Sequence, residues 1–354
     1  MNLEHLSTPA LCLDLDAFER NQRKAMEVAQ RCGAALRPHY KSNRCTAIAH
    51  MQIDMGAKGI TCAKVGEAED LARAGIDDIL IANQITALEK IDRVAFLARG
   101  CRLTVCVDDA ENISALSSAA VRYGSTIFCL VEVDVGARRC GVTAKEDVLA
   151  LAQRVKDSPN LVFDGLQAYA GQLSHQKDFE VRRTSAQQIE SDLRELIAWL
   201  RQNGVETKEV SGVSTGSLQF REPGTVYTEL QCGSYIFMDA AYGNLGLTFE
   251  SSLTVLAHVM RITDEWVILD AGRKSVSVDQ EMPRVFGAKC SELRCAEEHT
   301  RIPVKDFPNA KVGDLFQLIP GHCCTTMNLH DYLYLHRGGK IVDCVEITSR
   351  GRSY

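Results

Sequence analysis

Short apolar, β-branched runs recur through the first two thirds of the chain. They lie near 34–39, 58–63, 78–83, 102–107, 126–133, 161–168, 207–212 and 229–236, eight in all. Stretches with helical spacing of apolar residues separate most of them. The clearest predicted helix covers 184–203, where Ile189, Leu193, Leu196, Ile197 and Leu200 fall on one face. Ser185 with Gln188 reads as a capping box there, and Gly204 occupies the C-terminal cap position. A second helix is predicted over 16–31, with Phe18, Ala25, Met26 and Ala29 on one stripe and Gly33 behind it.

Eight strands alternating with helices predict an α/β fold, a parallel (β/α)8 barrel, with a doubly wound open sheet as the alternative. The texture changes from about residue 250. Runs at 253–261, 266–270, 314–319 and 341–347 are strand-like, Gly338-Gly339 marks a turn, and helical patterns are scarce. This predicts a smaller C-terminal all-β domain. The run at 10–15 is also strand-like and could pair with it, since chain ends often lie close together. The expected division is a barrel over 16–245 and a β domain from 1–15 plus 246–354.

Composition narrows the function classes. The 354 residues are 45% hydrophobic and 24% charged, which excludes a disordered chain. Lys and Arg number 40 against 46 Asp and Glu, a net charge of −6 with no dense basic run, which argues against nucleic acid as a partner. No apolar run approaches ~18 residues, so no membrane span is expected. The N-terminus lacks a basic start followed by an apolar core, so no secretion signal is read and a cytoplasmic location is expected. The 14 cysteines show no paired CxxC framework, and several, such as Cys106 and Cys129, sit in apolar runs as small hydrophobes. Reduced thiols are expected.

Barrel enzymes carry their reactive groups at the C-terminal ends of the strands. After the first expected strand comes Lys41, which could lose its proton and attack an aldehyde, although a lone lysine is by default a solvated one. After the fifth come Arg138 and Arg139, one of which could hold an anionic oxygen. After the sixth come Tyr169, Gly171 and His175, an imidazole with a pKa near working pH, against the default of a surface histidine. After the seventh comes 211–217, rich in Ser, Thr and Gly and including Thr215 and Gly216, and after the eighth come Gly233, Ser234 and Tyr235. Such loops expose backbone N–H groups to phosphate, and barrels often bind phosphate after strands 7 and 8. A lysine, a phosphate cradle and an arginine around one barrel mouth fit pyridoxal 5′-phosphate. In the tail, His322 and Cys324 are two apart and point the same way if the segment is extended; imidazole plus thiolate suits zinc.

Seven ordered motifs carry a family resemblance: RPHYKSNRC (37–45), GITCAKVGEAE (59–69), EVDVGARRCG (132–141), LQAYAGQLSH (166–175), VSGVSTGS (210–217), YTELQCGSYIFMDAAYG (227–243) and PGHCCTTMNLHD (320–331). With these motifs the chain resembles the fold-type III pyridoxal-phosphate enzymes of the D-threonine aldolase and D-serine dehydratase family, nearest in texture to the aldolase branch. That resemblance implies an alanine-racemase-like barrel with a C-terminal β domain, usually as a homodimer. It implies that Lys41 is the Schiff-base lysine and that Arg139 contacts the cofactor's ring oxygen. Tyr169, Thr215, Gly216, Ser234 and Tyr235 match positions around its ring and phosphate. His175 matches a histidine given a base role, and His322 and Cys324 match two ligands of a divalent metal.

The chain departs from the aldolase pattern in one respect that matters. That pattern is His-Cys-Asp, whereas position 324 is Cys, and a His-x-Cys pair resembles the zinc site of the dehydratase branch. Ala170 also sits where many aldolases carry a bulkier polar residue. The first expectation is retro-aldol cleavage of a D-β-hydroxy amino acid to glycine and an aldehyde. The second is β-elimination of a D-serine-like substrate to a 2-keto acid and ammonia. Racemisation, or a non-enzymatic carrier of the cofactor, ranks below both. The metal is zinc by its thiolate ligand or manganese by the aldolase resemblance.

Overall fold

The computed structural model of the chain describes residues 1–354. Its contacts define two compact units: 25–41, 48–233 and 352–354 form one, and 1–24, 42–47 and 234–351 form the other. The chain opens with strand β1 (Ala10–Asp14) and helix α1 (Leu15–Cys32). Eight parallel strands then build the first unit: β2 (Ala35–Leu36), β3 (Ile60–Cys62), β4 (Asp78–Ile81), β5 (Arg102–Val107), β6 (Ile127–Glu132), β7 (Leu161–Ala168), β8 (Glu209–Gly212) and β9 (Glu229–Leu230). Every expected run contains one of them. Their order is β2-β9-β8-β7-β6-β5-β4-β3. A parallel bridge between His39 and Thr61 joins the two ends and closes the ring, so the sheet is a barrel and not an open doubly wound one.

Helices α2 (Thr46–Asp54), α3 (Val65–Arg73), α4 (Leu88–Leu97), α5 (Ala110–Tyr123), α6 (Lys145–Lys156) and α7 (Phe179–Gln202) alternate with these strands. Apolar side chains from the strands and helices, such as Val105, Val131, Leu116 and Val148, form one buried core. The helix expected over 184–203 starts five residues earlier. Asp178, not Ser185, is its cap, accepting the Val181 N–H at 3.0 Å. The extra turn is held by Phe179 against Phe220, with ring centroids 5.3 Å apart, a long-range contact invisible to local pattern. Gly204 follows the helix with φ +80°, as a left-handed terminator must.

A polar network is buried among the barrel strands. Arg37 is buried and donates to Glu229 at 2.8 Å and to Asp78 at 2.9 Å. Glu229 also accepts from Ser211 at 2.9 Å, and Gln231 donates to Ser211 at 2.8 Å and to Gln167 at 2.7 Å. Burial alone would raise the Glu229 carboxyl. The Arg37 charge and hydrogen bond, helped by Lys58, overcome it and bring the pKa to about 2.

The second unit carries the remaining strands: β10 (Leu253–Ile262), β11 (Trp266–Leu269), β12 (Arg284–Val285), β13 (Arg294–Cys295), β14 (Thr300–Pro303), β15 (Leu315–Ile319), β16 (Tyr332–Arg337) and β17 (Lys340–Glu346). A short helix, α8 (Cys323–Met327), follows β15. The opening strand β1 pairs antiparallel with β10 and parallel with β16. All 14 cysteines are free thiols. No helix is long and apolar enough to cross a membrane.

Candidate active site

In the barrel unit, Arg37 of the polar network and His39 alternate along one extended segment, which the 3-10 turn holding Lys41 then ends. His39 and Lys41 line a cavity of about 160 Å³ together with Arg139, Gln167, Tyr169 and Gln231. Lys41 lies in a short 3-10 turn, Tyr40–Ser42, which the Tyr40 hydroxyl ties to Asp70 at 2.7 Å. The Tyr169 ring stands near two cations, with Lys41 Nζ at 5.6 Å and the Arg139 guanidinium carbon at 5.7 Å from its centroid. Arg139 pairs with Glu132 at 3.6 Å. Burial raises the Glu132 carboxyl even though Gln84 donates to it at 2.6 Å. Arg138 has φ +50° and its N–H donates to Asp134 at 3.0 Å, so it belongs to the turn that presents Arg139.

His39 drew no role from the sequence. Its Nδ1 accepts the backbone N–H of Lys41 at 3.3 Å. Burial holds its pKa well below the ordinary histidine value, and the Lys41 and Arg139 charges push the same way. A neutral ring with Nδ1 as acceptor carries its proton on Nε2. The alternation of 37 and 39 on the segment that leads into the Lys41 turn was the signal that could have found it.

Thr215 and Gly216 open a 3-10 turn, Thr215–Phe220, after β8. Thr215 Oγ1 is buried and has no hydrogen-bond partner. An orphan buried hydroxyl costs about 1–3 kcal/mol, which a bound acceptor such as a phosphate oxygen removes. A Cβ on Gly216 would stand 2.6 Å from the Ser174 carbonyl oxygen and 3.0 Å from that of Leu173, so only glycine lets the turn come this close. Ser174 in turn shares a hydrogen bond with the Tyr169 hydroxyl at 3.1 Å. The lysine, the orphan hydroxyl and the glycine cradle fit pyridoxal phosphate. His175, the residue after Ser174, is exposed and is not among the residues that line the cavity.

The second unit holds the other predicted residues. Tyr235 is fully buried and its hydroxyl donates to Gln22 at 2.5 Å. Ser234, grouped in the sequence with the phosphate loops, has its Oγ 3.7 Å from Cys324 Sγ. The expectation that His322 and Cys324 lie on an extended strand is corrected. β15 ends at Ile319, Pro320-Gly321 breaks it, and His322 becomes the extended N-cap of α8, with Cys324 in its first turn. The two side chains still meet through a hydrogen bond. Cys324 Sγ also lies 3.4 Å from Ser42 Oγ. A hydrogen bond from Cys323 holds the Cys324 thiol well below its ordinary pKa; burial opposes this and His322 reinforces it. Burial would lower His322, but the hydrogen bonds to Cys324 and Asp279 raise it to about 9. His322 Nδ1 lies 2.9 Å from Asp279 Oδ2.

No group of three or more His, Cys, Asp or Glu side chains is arranged to hold a metal. His322 and Cys324 make a two-ligand set. A thiol biased toward thiolate, beside an imidazole whose other nitrogen meets a carboxylate, fits a soft divalent metal with open positions.

The model of the alanine racemase N-terminal domain matches residues 13–241, and that of a putative serine dehydratase domain matches 252–336. The chain is 42% identical to a D-threonine aldolase from Arthrobacter sp over 99% of this chain and 94% of that one. It belongs to the D-threonine aldolase and D-serine dehydratase family built on the alanine-racemase barrel. Within this family it is also 39% identical to a 3-hydroxy-D-aspartate aldolase from Paracoccus denitrificans, over 100% of this chain and 95% of that protein. The crystal structure of D-threonine aldolase from Filomicrobium marinum superposes with a TM-score of 0.97 at 37% identity, covering 100% of this chain and 98% of that one. The barrel match spans Lys41, Arg139, Tyr169, His175, Thr215, Gly216, Ser234 and Tyr235. The dehydratase-domain match spans His322, Cys324 and Asp279.

Proposed function

We propose that this protein is a lyase that cleaves D-β-hydroxy amino acids between Cα and Cβ, giving glycine and an aldehyde. The observation that carries this reading is the end-to-end similarity to two proteins named as aldolases. The Lys41 cavity supports it. Pyridoxal phosphate, when bound, supplies an electron sink for the pair released as a bond to Cα breaks. Lys41 would hold it covalently, and Thr215 Oγ1 and the loop at Gly216 would hold its phosphate, with Ser234 and Tyr235 completing the set implied by the family. Arg139 would hold the cofactor's ring oxygen and so tune it, rather than bind the substrate carboxylate. Tyr169, whose own ring lies near the Lys41 and Arg139 cations, would flank the cofactor.

His322 and Cys324 would hold a divalent metal, zinc by the thiolate or manganese by the aldolase resemblance, and that metal would supply Lewis-acid chemistry toward the substrate hydroxyl. His175 takes the hydroxyl proton, directly or through one water. A homodimer and a cytoplasmic location complete the proposal.

One residue favours a second reading. Cys324, within the segment that matches a putative serine dehydratase domain, favours β-elimination, in which Lys41 removes the Cα proton and the products are a 2-keto acid and ammonia. The test is product analysis on protein loaded with cofactor and with zinc or manganese. The substrates are D-threonine, D-phenylserine, D-3-hydroxyaspartate and D-serine. Glycine and aldehyde from the first three support aldol cleavage; keto acid and ammonia as the main products overturn it.

A further inference from the structure

We propose that Asp279 is a positioning residue for His322: its carboxylate engages Nδ1 and leaves Nε2 as the nitrogen that meets a divalent cation. This rests on the reading of His322 and Cys324 as a metal pair. Asp279 lies 43 residues before His322, outside every motif singled out in the sequence. Its Oδ2 is 2.9 Å from His322 Nδ1. Its other oxygen is fixed separately: Ser277 Oγ donates to Oδ1, and Thr325 Oγ1 lies 3.0 Å from the same atom. A surface ion pair needs no such second anchor and contributes little. Here both carboxylate oxygens are engaged, although the side chain is 48% exposed.

The backbone around Asp279 is built to bring it there. The Gly321 N–H donates to the Ser277 carbonyl at 3.0 Å, and the Ser277 N–H donates to Thr326 Oγ1 at 3.1 Å. The segment 277–281 is thus tied on both sides of His322. A Cβ on Gly321 would stand 1.9 Å from the Glu281 carbonyl oxygen and 2.6 Å from that of Ser277. Only glycine allows this approach, directly beside His322. A ligand imidazole whose other N–H is held by a carboxylate is fixed in tautomer and orientation and is a stronger donor. Loss of such a partner typically costs about 10- to 100-fold in metal affinity.

The experiment measures zinc affinity by chelator competition on the pyridoxal-phosphate-loaded protein, for wild type, Asp279→Ala, Asp279→Asn and His322→Ala. The expected result is a loss of about 10- to 100-fold for Asp279→Ala, a smaller loss for Asp279→Asn, and no specific binding for His322→Ala. Unchanged affinity in Asp279→Ala overturns the proposal while His322→Ala still shows the metal pair to be real. Unchanged affinity in His322→Ala overturns the metal pair itself and the proposal with it. A proton spectrum of the zinc-saturated protein gives a second readout, expected to show a slowly exchanging downfield Nδ1–H signal. That signal should vanish in His322→Ala and in Asp279→Ala, and its persistence in the latter contradicts the assignment. If Asp279→Ala does not fold, Thr325→Val removes only one anchor of Oδ1 and is expected to weaken zinc binding severalfold. No change there overturns the proposal.

Discussion

Around Lys41 the reactive side chains come off regular barrel strands and the loops that follow them. Arg37 and His39 alternate along one segment and Lys41 follows in a 3-10 turn, while Gln167 rises from β7 and Gln231 from just after β9. Around His322 they come off irregular chain: a Pro-Gly break, a five-residue helix and a carboxylate from a loop far upstream. In the first region the ends of the barrel strands and the turns that follow them position the chemistry. In the second, close backbone packing at Gly321 and a set of side-chain hydrogen bonds do so. Strand geometry is repetitive and can be read from one sequence; a clamp between distant segments cannot.

The largest expected effect breaks the barrel side of this contrast. Lys41→Ala should leave the cofactor without a covalent anchor and reduce turnover to background, read as loss of the bound-cofactor absorption band and of product. Next, His175→Asn tests whether an exposed residue outside the cavity belongs to the reaction. A base role predicts a fall in kcat of about 10²–10⁴-fold with the cofactor band unchanged. Unchanged kcat would confine the proton chemistry to other groups.

Arg37→Ala probes the polar floor of the barrel. Removing one partner of a buried ion pair leaves Glu229 uncompensated and should cost about 3–5 kcal/mol, measured by denaturant unfolding. The same pair predicts a pH effect. The folded carboxyl has a pKa of about 2, below the unfolded value of roughly 4.3. Its stabilisation is therefore fully present above the unfolded value and is lost as pH falls toward about 2. Arg37→Ala should flatten that acid limb.

Gly321→Ala sharpens the other side. The added Cβ must displace the Ser277 and Glu281 carbonyls, a strain of about 1–3 kcal/mol. Zinc affinity should fall while the cofactor band around Lys41 stays intact. Equal damage to both readouts would mean that the two regions are not built independently.

The barrel strands were legible because each is a short apolar run between turn signals, and β1 because its own run is strand-like. The start of α7 was misplaced: its cap is Asp178 and not Ser185, and the contact of Phe179 with Phe220, 41 residues on by sequence number, carries no local signal. His322 and Cys324 were legible as a soft ligand pair, but their conformation was misread: alternation was assumed past Pro320-Gly321, where the strand had already ended. Asp279 and Ser42 carry no local signal at all; their places beside His322 and Cys324 follow from folding. His39 was within reach of the strand period, two residues after Arg37 and in the same motif as Lys41.

Aldol cleavage is tested most directly by one substrate that can follow either course. D-3-hydroxyaspartate gives glycine and glyoxylate if the Cα–Cβ bond breaks, and oxaloacetate and ammonia if water is eliminated. Quantifying all four in a single reaction of the metal- and cofactor-loaded protein should show glycine and glyoxylate in equal amounts, with little ammonia. Oxaloacetate and ammonia as the main products would contradict it and assign the chemistry to the branch that Cys324 resembles.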